Sequence, residues 1–522
     1  MTTKDNDNGS TRSSLPSDVP SEDHDGRTCL YFAPDDPESP YNWSSWKKCF
    51  VVLVSILTVT NSTVSSGLAS NSSAYFGEEW GITSRSLLIL PTSLFLVGYV
   101  LGPIVFGPLS ESYGRKDIMV VAFTLYTLFT LGCALAPNFA SFVILRFITG
   151  IFAACPIAVV GGTCADVYKT AESRGRAMAI FMGATTFGPC AGPIISGYLS
   201  PSVGWRWSFW TSLIYAGVTA VPLLLVPETF APILLRTRAR KIRKETGEDT
   251  MYAPIEHERK DMAHIITVVL TRPVRMFLFE AIVLFSCLYL AFAYGIFYMF
   301  FQAFPIIFTD IYGFTPGQEG LVFLSIGVGA CIAIGIYILW DMIMARARAR
   351  NARWARSEEM NRLPLACFAG PFLIASCFWM GWSARADVHW IVPVLGGVPF
   401  GIGYLLIFMA LLNYLVDAYK IFAASAMAAA SMVRSAAGAV LPFAARPMYT
   451  RLGVPWACSL LGFLSVAMAV IPFVFIWKGT KLRQRSKFCQ YLLQREREEE
   501  EARVGREVPV VFEEEKSVDV RA

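Results

Sequence analysis

The stretch Gly107-Pro108-Leu109-Ser110-Glu111-Ser112-Tyr113-Gly114-Arg115-Lys116 is a short polar turn between two long apolar runs. Glycines at 107 and 114 permit sharp bends and positive φ. Glu111 places an anion beside a basic pair, where it can meet a neighbouring helix N-terminus. A turn this tight and this charged, set between apolar segments of spanning length, belongs at a membrane surface. Its meaning depends on what lies on either side.

Outward from this turn the chain alternates apolar runs with charged intervals. It has 522 residues, 54% hydrophobic and 16% charged, against roughly 45–50% and about 25% for soluble domains. A run of about 20 apolar residues spans a bilayer as a helix. The sequence offers twelve, at 49–70, 86–107, 117–136, 139–164, 176–199, 207–226, 276–301, 320–344, 363–383, 389–412, 421–443 and 454–477. The fold class expected is therefore an all-α membrane protein of twelve helices in two six-helix halves. The expected division is a disordered N-terminus over 1–45, six-helix bundles over 46–229 and 274–480, a basic linker over 230–273, and a charged tail over 481–522.

Composition excludes several classes. A net charge of +5 gives no support for nucleic-acid binding. The twelve cysteines form no C-x-x-C pair and lie mostly within apolar runs, where they read as small packing residues. The four histidines lie outside those runs or at their edges, so neither a metal site nor a cofactor is expected. With both termini in the cytoplasm, the inner loops hold 22 Lys and Arg and the outer loops 5. That bias sets the orientation. The outer loops leave no room for a receptor or catalytic domain. Asn71-Ser72-Ser73 falls in the first of them and raises glycosylation of Asn71.

Three further motifs carry chemistry. Arg146 lies about seven residues inside span four, roughly 10 Å deep, where an arginine costs on the order of 2.5–3.5 kcal/mol. It is either bonded to helix carbonyls or serves a polar cavity and proton pathway. Span five carries Gly183, Gly188-Pro189, Gly192-Pro193 and Gly197; proline removes amide donors and bends a helix, while glycine admits a close neighbour. Pro227-Glu228-Thr229 closes span six. The candidate cavity residues are Asn61, Tyr294, Tyr298, Gln302, Tyr404, Asn413 and the second deep arginine, Arg434. Glu280 near the start of span seven either faces water or binds a cation. Asp341 with Arg346 loosely repeats Glu111 with Arg115 in the second half.

Together these motifs resemble the major facilitator superfamily. The turn at 107–116 is similar to its G-x-L-a-D-r-x-G-r-k signature, with Glu111 for the usual Asp. The span-five pattern resembles its G-x-x-x-G-P-x-x-G-G motif, with Pro193 for the last Gly. Phe301-Gln302-Ala303-Phe304-Pro305, Asn413-Tyr414-Leu415-Val416-Asp417-Ala418-Tyr419 and Asn42-Trp43-Ser44 resemble the fungal drug:proton antiporters with twelve spans, in their polyamine and multidrug exporter branch. The resemblance covers about residues 40–485. It implies that Gly107, Glu111, Gly114, Arg115, Lys116 and Asp166 form a conformational charge relay, and that Arg146 takes part in proton coupling. It also implies that Gly183, Gly188, Pro189, Gly192 and Pro193 mark an exporter. The function expected is therefore not enzymatic. It is proton-coupled export of drugs, toxins or fungal secondary metabolites by alternating access, with polyamine export or nutrient and sugar import as the alternatives. The partners expected are the bilayer, protons and a small-molecule substrate, the site a plasma or vacuolar membrane, and the state monomeric.

Overall fold

The structure, a computed structural model, describes residues 28–247, 251–257, 262–352, 354, 358–419, 422–486, 488 and 490. Ten helices are set off individually: α1 Ser45–Gly67, α2 Arg85–Tyr113, α3 Arg115–Ala134, α4 Phe139–Val167, α5 Ala171–Val203, α6 Arg206–Leu225, α7 Ala281–Phe304, α8 Leu324–Ala349, α9 Glu358–Ser383 and α10 Gly397–Tyr419. The helical stretch Ala423–Arg485 breaks at Gly453, whose φ of 74° and ψ of 162° leave helical space. That break gives α11 over 423–452 and α12 over 454–485, so the bundles hold twelve long helices among the described residues.

Several ends have a local cause. Asn138 caps α4 by accepting from the Ser141 amide (2.9 Å), and Thr170 caps α5 from the Ser173 amide (3.3 Å). A short helix Pro316–Val322 opens on a capping box between Thr315 and Gln318. Gly114, at φ 110°, lets the chain reverse between α2 and α3. Gly107 does not end the helix: α2 continues through it to Tyr113, and a Cβ there would touch nothing.

Helices α1–α6 pack on one another, as do α7–α12, and the two sets meet where α2 faces the last helical stretch and where α5 faces α8 and Pro316–Val322. Large apolar side chains ring the outside, among them Leu128, Val218, Val221, Leu225, Phe463 and Phe473. An unbroken apolar surface of this kind is what a bilayer covers.

The N-terminal segment departs from the expected disorder over 1–45. Residues 1–27 lie outside the described residues, but Thr28–Cys29 pairs in parallel with Met251–Tyr252 of the linker. Asp36 and Glu38 meet Arg238 of the linker helix Ala231–Thr246, and Leu30 and Phe32 pack on Leu235 and Ala239. The linker is thus built around two helices, the second being Met262–Phe279. N-terminal segment, linker and the end of α12 share one side of the bundle, where Phe422 touches both Arg272 and Phe488. This side is called the linker face. The charge run 493–501 lies outside the described residues.

Candidate functional site

The face opposite the linker is sealed. The glycines of α5 are there for contact: a Cβ at Gly192 would lie 2.7 Å from Gly67 of α1, and one at Gly197 would lie 2.3 Å from the Pro316 carbonyl. Gly188 abuts Thr63 of α1 and Gly183 abuts Ile334 of α8. Pro189 and Pro193 sit at the same α1 contact. This stretch is therefore a packing surface against both sets of helices. Asn71 ties the seal by donating from Nδ2 to the carbonyls of Pro316 (3.0 Å) and Pro193 (3.4 Å). At 9% exposure, the amide that glycosylation would need is consumed by the closure. Ser66 of α1 and Tyr298 of α7 share a 2.8 Å hydroxyl bond.

On the linker side a cavity of about 360 Å³ runs from Glu111, Arg115 and Arg174 inward to Arg434. Asn413 lines its wall while donating back to the Met409 carbonyl (2.7 Å). At the inner end a smaller void is bounded by Tyr294, Tyr404, Phe408, Thr186, Pro189 and again Arg434. The Arg434 guanidinium lies 5.5 Å from the Tyr294 ring and 5.7 Å from that of Phe408. Its Nε is buried and has no protein hydrogen-bond partner.

The structure therefore brings Asn413 and Arg434 to the cavity and Tyr294 and Tyr404, with Arg434, to the small inner void, and leaves three other candidates elsewhere. Asn61 is fully buried among α1, α3 and α6, where Tyr126 and Ser212 each donate to its Oδ1 at 3.1 Å. Tyr298 belongs to the seal. Gln302 lies near the far end of α7 and lines neither void. Glu280 accepts from Tyr419 (3.1 Å) and is also absent from the cavity wall.

Arg146 is wholly buried. It donates from Nε to the Pro91 carbonyl (3.1 Å) and from Nη1 to Ser65 (3.3 Å), with its guanidinium 4.3 Å from the Phe95 ring. These contacts brace α4 against α1 and α2. Arg146 does not line the cavity; two of its donors are bonded to the helix frame, while Nη2 is buried with no acceptor among the described residues.

At the linker face the charge relay is arranged differently from the expectation. Arg115 pairs with Asp166 (3.2 Å) and donates to Ser110 (2.7 Å), while Glu111 is exposed at the cavity mouth with no ion pair among the described residues. The helix N-terminus is met instead by Glu228, whose carboxylate accepts from the amides of Arg115 (3.0 Å) and Lys116 (3.1 Å). A Cβ at Gly114 would lie 2.4 Å from that carboxylate, so glycine is needed there for approach as well as for φ. An anion at the start of α3 is stabilised by the helix dipole and two free amides. The second half repeats the pairing between other residues than Asp341 and Arg346. Arg362 at the start of α9 pairs with Asp417 at the end of α10 (3.4 Å) and donates to Tyr337 (2.8 Å), and Arg483 of α12 pairs with Glu359. Glu228, Arg362 and Asp417 were not singled out for these roles by sequence. The only available signal was Asp417 falling near the end of a span, as Asp166 does.

A twelve-helix frame with a charged turn between its second and third helices, closed on one side and hollow on the other, matches the family model for the Major Facilitator Superfamily over residues 54–442. The chain belongs to this superfamily. It is 38% identical over 465 residues to the efflux pump FUB11 of Gibberella moniliformis, covering 88% of this chain and 77% of that one. It is 36% identical over 465 residues to the citrinin biosynthesis cluster MFS transporter mrr1 of Monascus ruber, covering 87% and 91%. Among solved structures the proton:xylose symporter XylE matches with a TM-score of 0.60 at 18% identity, covering 84% of this chain and 96% of that one. That likeness concerns the fold alone. The chain is thus a multi-pass membrane transporter among fungal efflux pumps, and not an enzyme.

Proposed function

We propose that this transporter exports small organic compounds, drugs, toxins or fungal secondary metabolites among them, in exchange for protons. In this reading the linker face is cytoplasmic, the membrane is the plasma membrane, and the working unit is a monomer. The observation that carries the reading is the asymmetry of the bundle. The cavity reaches Arg434 from the linker face while Asn71, Gly197 and Pro316 close the other side. A site open to one side and sealed to the other by contacts between the two helix sets is one state of an alternating-access cycle. The basic linker, with ten Lys and Arg between Arg236 and Arg275, favours the cytoplasm for that face.

Direction is supported by the packed Gly-Pro stretch of α5 and by the efflux pumps among its relatives. For protons to drive export, protonation must favour one state and substrate the other. The test is retention of a labelled compound panel in a yeast strain lacking its own exporters, with and without this chain and a protonophore. Reduced retention that the protonophore abolishes is the expected result. Increased retention in expressing cells would establish uptake and refute the proposal.

A further inference from the structure

We infer that the compounds carried bear an ionised acid group that pairs with Arg434, with their apolar part in the cavity against Ile157, Phe181, Met182 and Met427. This rests on the export reading for its direction, but its geometry stands independently. Arg434 is the charge at the inner end of the cavity. Its flanking groups are aromatic, and its Nε donor is buried with no acceptor from the protein. A donor left in this state, in the wall of a void, lacks an acceptor that a ligand can bring.

The chain's own carboxylates do not supply one. Asp166 is taken by Arg115 and Asp417 by Arg362. Glu359 is taken by Arg483, Glu228 by the amides of α3 and Glu280 by Tyr419. Asp341 and Glu319, each with a buried oxygen lacking a partner, line neither void, and the one carboxylate in the cavity's lining, Glu111, stands at the mouth beside Arg115 and Arg174. With Arg115 neutralised by Asp166, the lining carries Arg434 and Arg174 against Glu111. A cation entering such a cavity leaves its one carboxylate, Glu111, at the mouth and meets a like charge at its inner end; an anion meets a guanidinium.

The shape of the site narrows the class further. Guanidinium presents parallel N–H donors that match a carboxylate or an acidic enol, and Ile157, Phe181, Met182 and Met427 line the cavity beside it with apolar surface. A void of about 360 Å³ falls at the small end of ligand pockets. The class assigned is a small organic acid with an apolar body. The same charges disfavour polyamines.

Three probes of one shape separate the possibilities: 2-naphthoate, its primary amide and 2-naphthylmethylamine, titrated into the purified full-length protein by intrinsic fluorescence. The acid is expected to bind at least about tenfold tighter than the amide, the worth of a charge-assisted pair, and the amine not to bind. Arg434→Gln should abolish that preference, Arg434→Lys should keep part of it, and both should retain the parent's melting temperature in detergent. Equal binding of acid and amide, binding of the amine, no binding of any probe, or an acid preference that survives Arg434→Gln would each overturn the inference. The same probes in the yeast retention assay keep the two proposals apart. Arg434-dependent accumulation of the acid would refute export and leave the acid site standing. Protonophore-sensitive expulsion of the amine or amide, unaffected by Arg434→Gln, would refute the acid site and leave export standing.

Discussion

The seal opposite the linker offers a prediction whose size can be worked out from individual bonds. Asn71 is joined to the second set of helices by one neutral hydrogen bond, to the Pro316 carbonyl at 3.0 Å. Its longer bond to Pro193 stays within the first set and does not oppose opening. Removing a neutral bond costs about 1 kcal/mol net. Because the bond exists only in the sealed form, Asn71→Ala should shift the sealed-to-open ratio by roughly fivefold. Tyr298→Phe removes the 2.8 Å bond to Ser66, while Ser66 keeps its helical acceptor, the Thr63 carbonyl at 2.6 Å. Its effect should be similar, and the double variant should reach about 25-fold where independent terms multiply. The reporter is Ser196→Cys, a fully buried position on α5 next to Gly197. Its maleimide labelling rate in purified protein, relative to the parent carrying the native cysteines, measures how often the seal opens. Rates within twofold of one another across the reporter alone and both seal variants would show that backbone packing, not these bonds, holds the seal.

The remaining predictions concern the frame and one surface brace. Glu228→Gln withdraws the charge that accepts from the amides of Arg115 and Lys116, and should cost about 1–2 kcal/mol. A melting temperature in detergent equal to the parent's would refute that role. Arg146→Ala removes a buried side chain with donors to Pro91 and Ser65 and should cost 3 kcal/mol or more, by rough analogy with other buried large-to-small changes. It should appear as loss of folded protein on size-exclusion chromatography, whereas a role confined to proton coupling would leave that profile intact. Glu79, outside the spanning helices, is held below the ordinary carboxyl value by its bond to Arg206, against the opposing effect of burial and with help from Trp205. A depressed carboxyl stabilises the fold above its unfolded value, near 4.5, and that contribution fades as pH falls through the lower folded value. Since Glu79 and Arg206 are both over one-third exposed, the effect should be small. It should appear as a steeper acid decline in melting temperature for the parent than for Glu79→Gln, and parallel curves would count against it.

What the sequence made legible follows from what lipid enforces. Apolar runs locate the helices because unpaired backbone groups are not tolerated in hydrocarbon. They locate the ends poorly, because a helix continues into water wherever capping allows. The run 86–107 stops six residues short of the end of Arg85–Tyr113, and 176–199 is the middle of Ala171–Val203. The run 389–412 is displaced most, since a short helix Ile391–Leu395 precedes α10 at Gly397–Tyr419. Aromatic content says that Trp390 and its neighbours are apolar, not that the helix begins after them.

The site was legible where a polar residue had a reason visible nearby. Arg115 and Asp166 stand at helix ends expected on one face, and they pair. Asn61 and Arg434 are both polar groups in apolar runs and look alike in sequence. They differ in whether neighbours 65 and 151 residues away, Tyr126 and Ser212, satisfy them. For Asn61 they do, and it is part of the frame. For Arg434 none does, and it is left to the cavity. The partner of a buried polar group is a tertiary fact, which also explains why Glu228 read as a family mark until its distance to α3 was known.

The pairing of Thr28–Cys29 with Met251–Tyr252 has a mechanical consequence for the cycle. A slack tether between the two bundles would leave their relative swing to be limited only by collisions. Here the first helix of the tether is clipped by its own sheet pair and by Arg238 to the residues that lead into α1, so the tether is anchored at both the entry and the exit of the first bundle. Its second helix, Met262–Phe279, leads directly into α7. The linker therefore joins the bundles through a first helix held to the N-terminal strap and a second that runs into α7, so a swing of one bundle is passed to the strap as well as to the linker.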